Sequence, residues 1–137
     1  MNREELAWAA GFFDGEGCVC CGTRQGKYKC IRLMVGQIDT RALWRMCTAL
    51  GSIGTIREGK RRKPSPLQKH IVWYYWVDGF EGVQAVVAML WPWLGPVKRQ
   101  QASNALKAFI TYQKTLTRPL AHRLPRPIGK LHKEKVA

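Results

Sequence analysis

Carboxylates are scarce in this chain. Nine Asp and Glu stand against 23 Lys and Arg, giving a formal charge of +14 at pH 7 and an isoelectric point near 10.1. So basic a chain calls for a polyanionic partner, and nucleic acid fits better than an anionic membrane because no basic amphipathic helix stands out. Long apolar runs are missing too. The stretch from Val83 to Leu94 is too short and too interrupted to span a bilayer. Met1-Asn2-Arg3-Glu4-Glu5 lacks the charged-then-apolar pattern of a secretory leader. The expectation is a soluble intracellular protein with no membrane partner, in a prokaryotic cytoplasm or an organelle. Cysteines are odd in number: Cys18, Cys20, Cys21, Cys30 and Cys47. An odd set without a leader argues against a disulfide framework. Cys18-Val19-Cys20-Cys21 lacks the gap that separates paired zinc ligands. Reduced thiols in a sheet is the preferred reading, with structural zinc as the alternative.

What is present is enough for one folded domain: 137 residues, 46% of them apolar. Residues 4–14 carry Leu6, Ala9, Ala10 and Phe13 at helical spacing, with Asn2 as cap and Glu4 and Glu5 at the positive end of the dipole. Gly15 and Gly17 are expected to end this helix. Cys18–Arg24 and Tyr28–Ile38 read as strands joined by a turn at Gln25-Gly26-Lys27. A second helix starts at Asp39 or Thr40 and ends at Gly51. A third strand runs from Ile53 to about Arg61 and a fourth from Lys69 to Val77, with a basic Pro-containing loop between them. Helices follow from Phe80 to Trp91 and from Pro96 to about Leu116. The order αββαββαα predicts an α+β fold, a four-stranded antiparallel sheet with helices on one face. Residues 1–116 form the domain, and 117–137 read as a basic, Pro-containing tail, extended or partly disordered. Trp73, Trp76, Trp91 and Trp93 read mostly as core.

Two of the scarce carboxylates, Asp14 and Glu16, sit among glycines in Ala9-Ala10-Gly11-Phe12-Phe13-Asp14-Gly15-Glu16-Gly17. This stretch resembles the signature of the LAGLIDADG homing endonucleases. Val35-Gly36-Gln37-Ile38-Asp39, Leu50-Gly51-Ser52-Ile53-Gly54, Pro92-Trp93-Leu94 and Lys98-Arg99-Gln100-Gln101-Ala102 extend the likeness. The resemblance covers residues 3 to about 116 and rests on one signature, which implies the single-motif, homodimeric, intron-encoded type. Ala7, Ala10 and Gly11 form a strip of small side chains at which two signature helices could pack, with Asp14 bracing the interface.

The resemblance implies metal-dependent hydrolysis of DNA at a long, pseudo-palindromic site. Mg²⁺ is the implied metal, with Mn²⁺ as a substitute. Glu16 matches the acidic metal ligand, where the eponymous motif has Asp, and the Gly15 carbonyl joins it. Gln37 matches a residue that orders water at the metal, and Lys98 and Arg41 match the basic groups flanking the scissile phosphate. Strand alternation would then point Arg24, Tyr28, Cys30, Arg32 and Met34 into the major groove, with Arg57 and Arg61 from strand three. Cysteines and Met34 suit thymine methyls. Lys60, Arg62, Lys63 and Lys69 suit phosphates. An RNA-binding intron-splicing maturase and a non-catalytic DNA-binding module on the same fold are the alternatives, so RNA is the second candidate partner.

Overall fold

The computed structural model describes residues 1–60, 67 and 70–116. The first helix, α1 (Arg3–Glu16), begins where Asn2 Oδ1 accepts from the amides of Glu4 (2.9 Å) and Glu5 (3.3 Å). It runs two residues further than the glycines suggested. Gly15 lies inside the helix, and only Gly17 leaves it, as C-cap and first residue of β1 (Gly17–Arg24). A Cβ at Gly17 would lie 2.0 Å from the Phe13 ring, so this crossing from helix to strand needs glycine.

A tight turn joins β1 to β2 (Tyr28–Gln37). Gln25 (φ 52°) and Gly26 (φ 66°) both occupy the left-handed region, and the Lys27 amide donates to the Arg24 carbonyl at 3.1 Å. This is the mirror-image turn whose twist matches antiparallel strands. Asp39 then caps α2 (Thr40–Ala49), and Gly51 at φ 69° follows its end. The third strand, β3 (Thr55–Glu58), and the fourth, β4 (Trp73–Asp78), are shorter than expected. The helix α3 (Phe80–Leu90) passes through a 3-10 turn at Trp91–Trp93 into α4 (Pro96–Thr115).

The sheet is antiparallel in the order β1-β2-β4-β3, so β1 and β3 are edges. Val19, Ile31, Leu33, Val35, Tyr75 and Val77 point to one face and are buried with Leu6, Ala9, Ala10 and Phe13 of α1, Leu43 and Met46 of α2, Val83 and Val86 of α3 and Ala102 and Phe109 of α4. The helices therefore cover one face of the sheet. Burial pushes the phenol of Tyr75 well above its ordinary range, and its hydroxyl donates to the Ile53 carbonyl at 2.6 Å. All five cysteines are free thiols, with Cys47 in the core. Among the described residues no helix is long and apolar enough to cross a membrane. The basic loop around Arg62 and the tail 117–137 lie outside the described residues.

Candidate active site and nucleic-acid interface

The C-terminus of α1 meets the N-terminus of α4. Asp14 accepts from the Gly95 amide with both carboxylate oxygens, at 2.9 and 3.1 Å. Gly95 is the N-cap of α4 and brings no side chain of its own, so a residue of α1 caps α4 and sets a negative charge at its positive end. The expected brace at Asp14 is thus made inside one chain. Three residues into α4, Lys98 donates to the backbone carbonyl of Gly17, with its ammonium 5.8 Å from the centroid of the Phe13 ring. That bond sets a half-buried cation at the carbonyl of the residue after Glu16, whose own side chain is exposed.

Gln37 ends β2, two places beyond Val35, which pairs with Gly17. It is half-buried and opposite Trp73. Arg41 is not drawn to the junction. Its side chain is 90% exposed and grips Asp39, with Nη2 at 2.6 Å and Nε at 3.0 Å from Oδ2. This fork and the Arg41 amide hold the Asp39 carboxyl down from 3.8 to about 2, while the same pairing raises Arg41.

The junction has two electrostatic ends. The α1 C-terminus carries partial negative charge from unpaired carbonyls, reinforced by Glu16, and so favours a cation. The α4 N-terminus and Lys98 favour an anion. Among the described residues no three His, Cys, Asp or Glu side chains are grouped to hold a metal ion. One exposed carboxylate and neighbouring carbonyls are nonetheless hard oxygen donors of the kind Mg²⁺ takes when phosphate oxygens and water complete its octahedron. The residues fit a metal shared with a phosphate, not a closed cage.

The uncovered sheet face continues from this junction. Pairing aligns Cys18 with Met34, Cys20 with Arg32, Gly22 with Cys30 and Arg24 with Tyr28, all on the side away from the helices. These residues thus share one face of the hairpin, as strand alternation suggested. Arg57 faces the same way on β3, opposite Tyr74, and its Nε donates to Thr55 Oγ1 at 3.3 Å. Lys60 follows β3 and is exposed. Arg61, Arg62, Lys63 and Lys69 lie outside the described residues.

Two expectations are corrected. Trp76 is not core: it lies on the open face opposite Met34, and Trp91 is 37% exposed. Inward-pointing Tyr75 and Val77 force Tyr74, Trp76 and Asp78 outward, a signal that β4's own alternation carried. Ala10 does not belong to an exposed strip. It is fully buried in its own chain with Leu6, Ala9 and Phe13, on the side of the helix that packs into the core.

No family model matches the chain, and no curated protein matches it. Solved structures do. The homing endonuclease I-CvuI, in complex with its target in the presence of 2 mM Ca, is 28% identical with a TM-score of 0.59, covering 77% of this chain and 65% of its own. The fold is that of the LAGLIDADG homing endonucleases. The LAGLIDADG meganuclease I-AabMI, bound to uncleaved DNA, shares it at 20% identity and TM-score 0.59, over 83% of this chain and 38% of that one. The archaeal intron-encoded homing endonuclease I-Vdi141I, complexed with DNA, shares it at 19% identity and TM-score 0.58, over 80% and 71%. The chain spans 65% of the length of I-CvuI. I-CvuI was also solved on the I-CreI target with 2 mM Mg, its DNA not cleaved.

Proposed function

We propose that this chain is a site-specific, double-strand DNA homing endonuclease that acts as a homodimer on a long, pseudo-palindromic site and requires Mg²⁺. The observation that carries this reading is the meeting of the α1 C-terminus and the α4 N-terminus, with Lys98 held at Gly17, at the end of an open sheet face bearing Arg24, Arg32 and Arg57. Glu16 and the Gly15 carbonyl would hold the metal, which when bound offsets charge on the scissile phosphate. Lys98 adds a fixed cation beside that phosphate, and Gln37 orders water at the strand end. Arg41 can reach DNA by exchanging Asp39 for a phosphate. Arg24, Tyr28, Cys30, Arg32, Met34, Arg57 and Arg61 serve the bases, while Lys60, Arg62, Lys63 and Lys69 serve the backbone.

The dimer reading is supported by Ala7, Gly11 and Gly15, which recur every four residues along α1 outside the buried stripe. Among the described residues a Cβ at Gly11 or Gly15 would meet nothing within 4 Å. Glycine inside a helix costs about 1 kcal/mol relative to alanine, and no contact among the described residues repays it. Close approach of a second α1 does, since small contact residues shorten the distance between helix axes. Asp14 lies near this line and braces it from within. A two-fold dimer then demands a nearly symmetric target, each copy serving one strand.

The test is a supercoiled plasmid carrying a candidate site. Linearisation that needs Mg²⁺ and is lost in Glu16→Gln, with binding retained, supports the reading. Tight DNA binding by the unaltered protein without cutting in Mg²⁺ makes it a binding module instead. Preferential retention of intron RNA on filters points to the maturase.

A further inference from the structure

On the open sheet face Arg32 is held from two sides. Its Nε donates to Asp78 Oδ1 at 2.5 Å, directly across the β2–β4 pair. Its guanidinium carbon lies 4.4 Å from the centroid of the Trp76 ring. On the β1 side its neighbour is Cys20, whose short side chain leaves the guanidinium uncrowded. The bond to Asp78 uses Nε alone, and the part-exposed guanidinium makes no hydrogen bond through its two terminal nitrogens among the described residues.

Asp78 is out of place by charge. Among the described strand residues it is the one carboxylate on a face that otherwise carries Arg24, Arg32 and Arg57. A carboxylate there repels phosphate, and a part-exposed ion pair adds little to fold stability. What the pair does accomplish is order. A free arginine samples many rotamers, whereas a guanidinium bonded at Nε and stacked on an indole presents its two terminal nitrogens in one direction. That geometry matches the O6 and N7 acceptors of guanine, the base edge a guanidinium reads with two bonds in the major groove.

Resting on the endonuclease reading above, we infer that Arg32 specifies one guanine in each half-site and that Asp78 and Trp76 are its positioning residues. Asp78 also excludes a phosphate from occupying Arg32, which reserves the arginine for a base.

The experiment uses the full-length protein on a library of randomised DNA duplexes, with cleaved molecules sequenced. The unaltered protein should demand guanine at one position per half-site by roughly 5- to 150-fold over other bases. Arg32→Gln should erase that demand and leave other positions unchanged. Asp78→Asn and Trp76→Leu should relax the same position with Arg32 still present, and Trp76→Phe should largely restore it. If Arg32→Gln leaves every base preference intact while cleavage continues, the inference falls and the endonuclease reading stands. If Arg32→Gln acts but Asp78→Asn and Trp76→Leu do not, the positioning roles are wrong. If the unaltered protein cleaves nothing in the library, it is the endonuclease reading that fails. Thermal unfolding of each variant separates lost specificity from lost fold.

Discussion

The Lys98 ammonium donates to the backbone carbonyl of Gly17, 81 positions away in the chain. Gly17 follows Glu16, so one bond ties the first turn of α4 to the end of the signature helix. Lys98→Met should leave folding nearly intact, since a single exchanged hydrogen bond contributes about 0.5–1.5 kcal/mol. Cleavage should fall on the order of 100- to 1000-fold, the usual loss when one fixed charge-stabilising donor is removed from a reacting centre. Single-turnover rates at saturating DNA measure this. Weakened binding with an unchanged rate would make Lys98 a phosphate anchor only.

Gly17 tolerates no side chain. An added Cβ would overlap the ring of Phe13, which is fully buried. Gly17→Ala should cost about 1–3 kcal/mol in urea unfolding, the range for overpacking a dense core. Phe13→Leu in the same chain should recover part of that loss, and the double-variant cycle should show coupling because the two residues touch. Additive losses would mean that Gly17 is needed for another reason.

Gly11 offers a test of the dimer. Among the described residues nothing lies within 4 Å of the place its side chain would take, so Gly11→Leu should preserve the helical circular-dichroism signal. The same change should convert dimers to monomers in light scattering at micromolar concentration and abolish double-strand cleavage. A variant that keeps the dimer mass would move the interface off this face of α1.

Asp39 predicts a pH dependence. Its carboxyl titrates at about 2 instead of 3.8 because Arg41 holds the ionised form through its side chain and its backbone amide. A carboxyl with a depressed folded pKa stabilises the protein fully above its unfolded value and loses that contribution as pH falls through the folded one. Asp39→Ala should therefore be less stable than the unaltered chain at pH 5, and the gap should close between about pH 4 and pH 2. Urea midpoints of both proteins across that window measure it. A constant gap would mean that the helix cap does not depend on the charge.

Much of the architecture was legible because its causes are local. Asn2 and Asp39 each cap the next turn of backbone, Gln25-Gly26 bends the chain between two strands, and alternation alone sets Cys20, Arg32 and Arg24 on one face. The misreadings arose where neighbours in sequence do not decide. Gly15 stays helical because the helix ends only where Gly17 must pass the Phe13 ring. Trp76 lies in an apolar strand, which suggests core, yet the strand's alternation turns it to the face away from the helices.

By itself the sequence determined the excess of positive charge, the order of elements, the placement of Glu16 at a helix end and which residues of β1 and β2 share a face. Each follows from composition, from a period of two or 3.6, or from a cap within a few residues. Only the tertiary structure decided that Asp14 caps α4, that Lys98 sits at Gly17, that Ala10 is buried within its own chain and that Asp78 and Trp76 hold Arg32. Those relationships join residues far apart in the chain, so they exist only once the sheet order and the helix packing have brought the elements together.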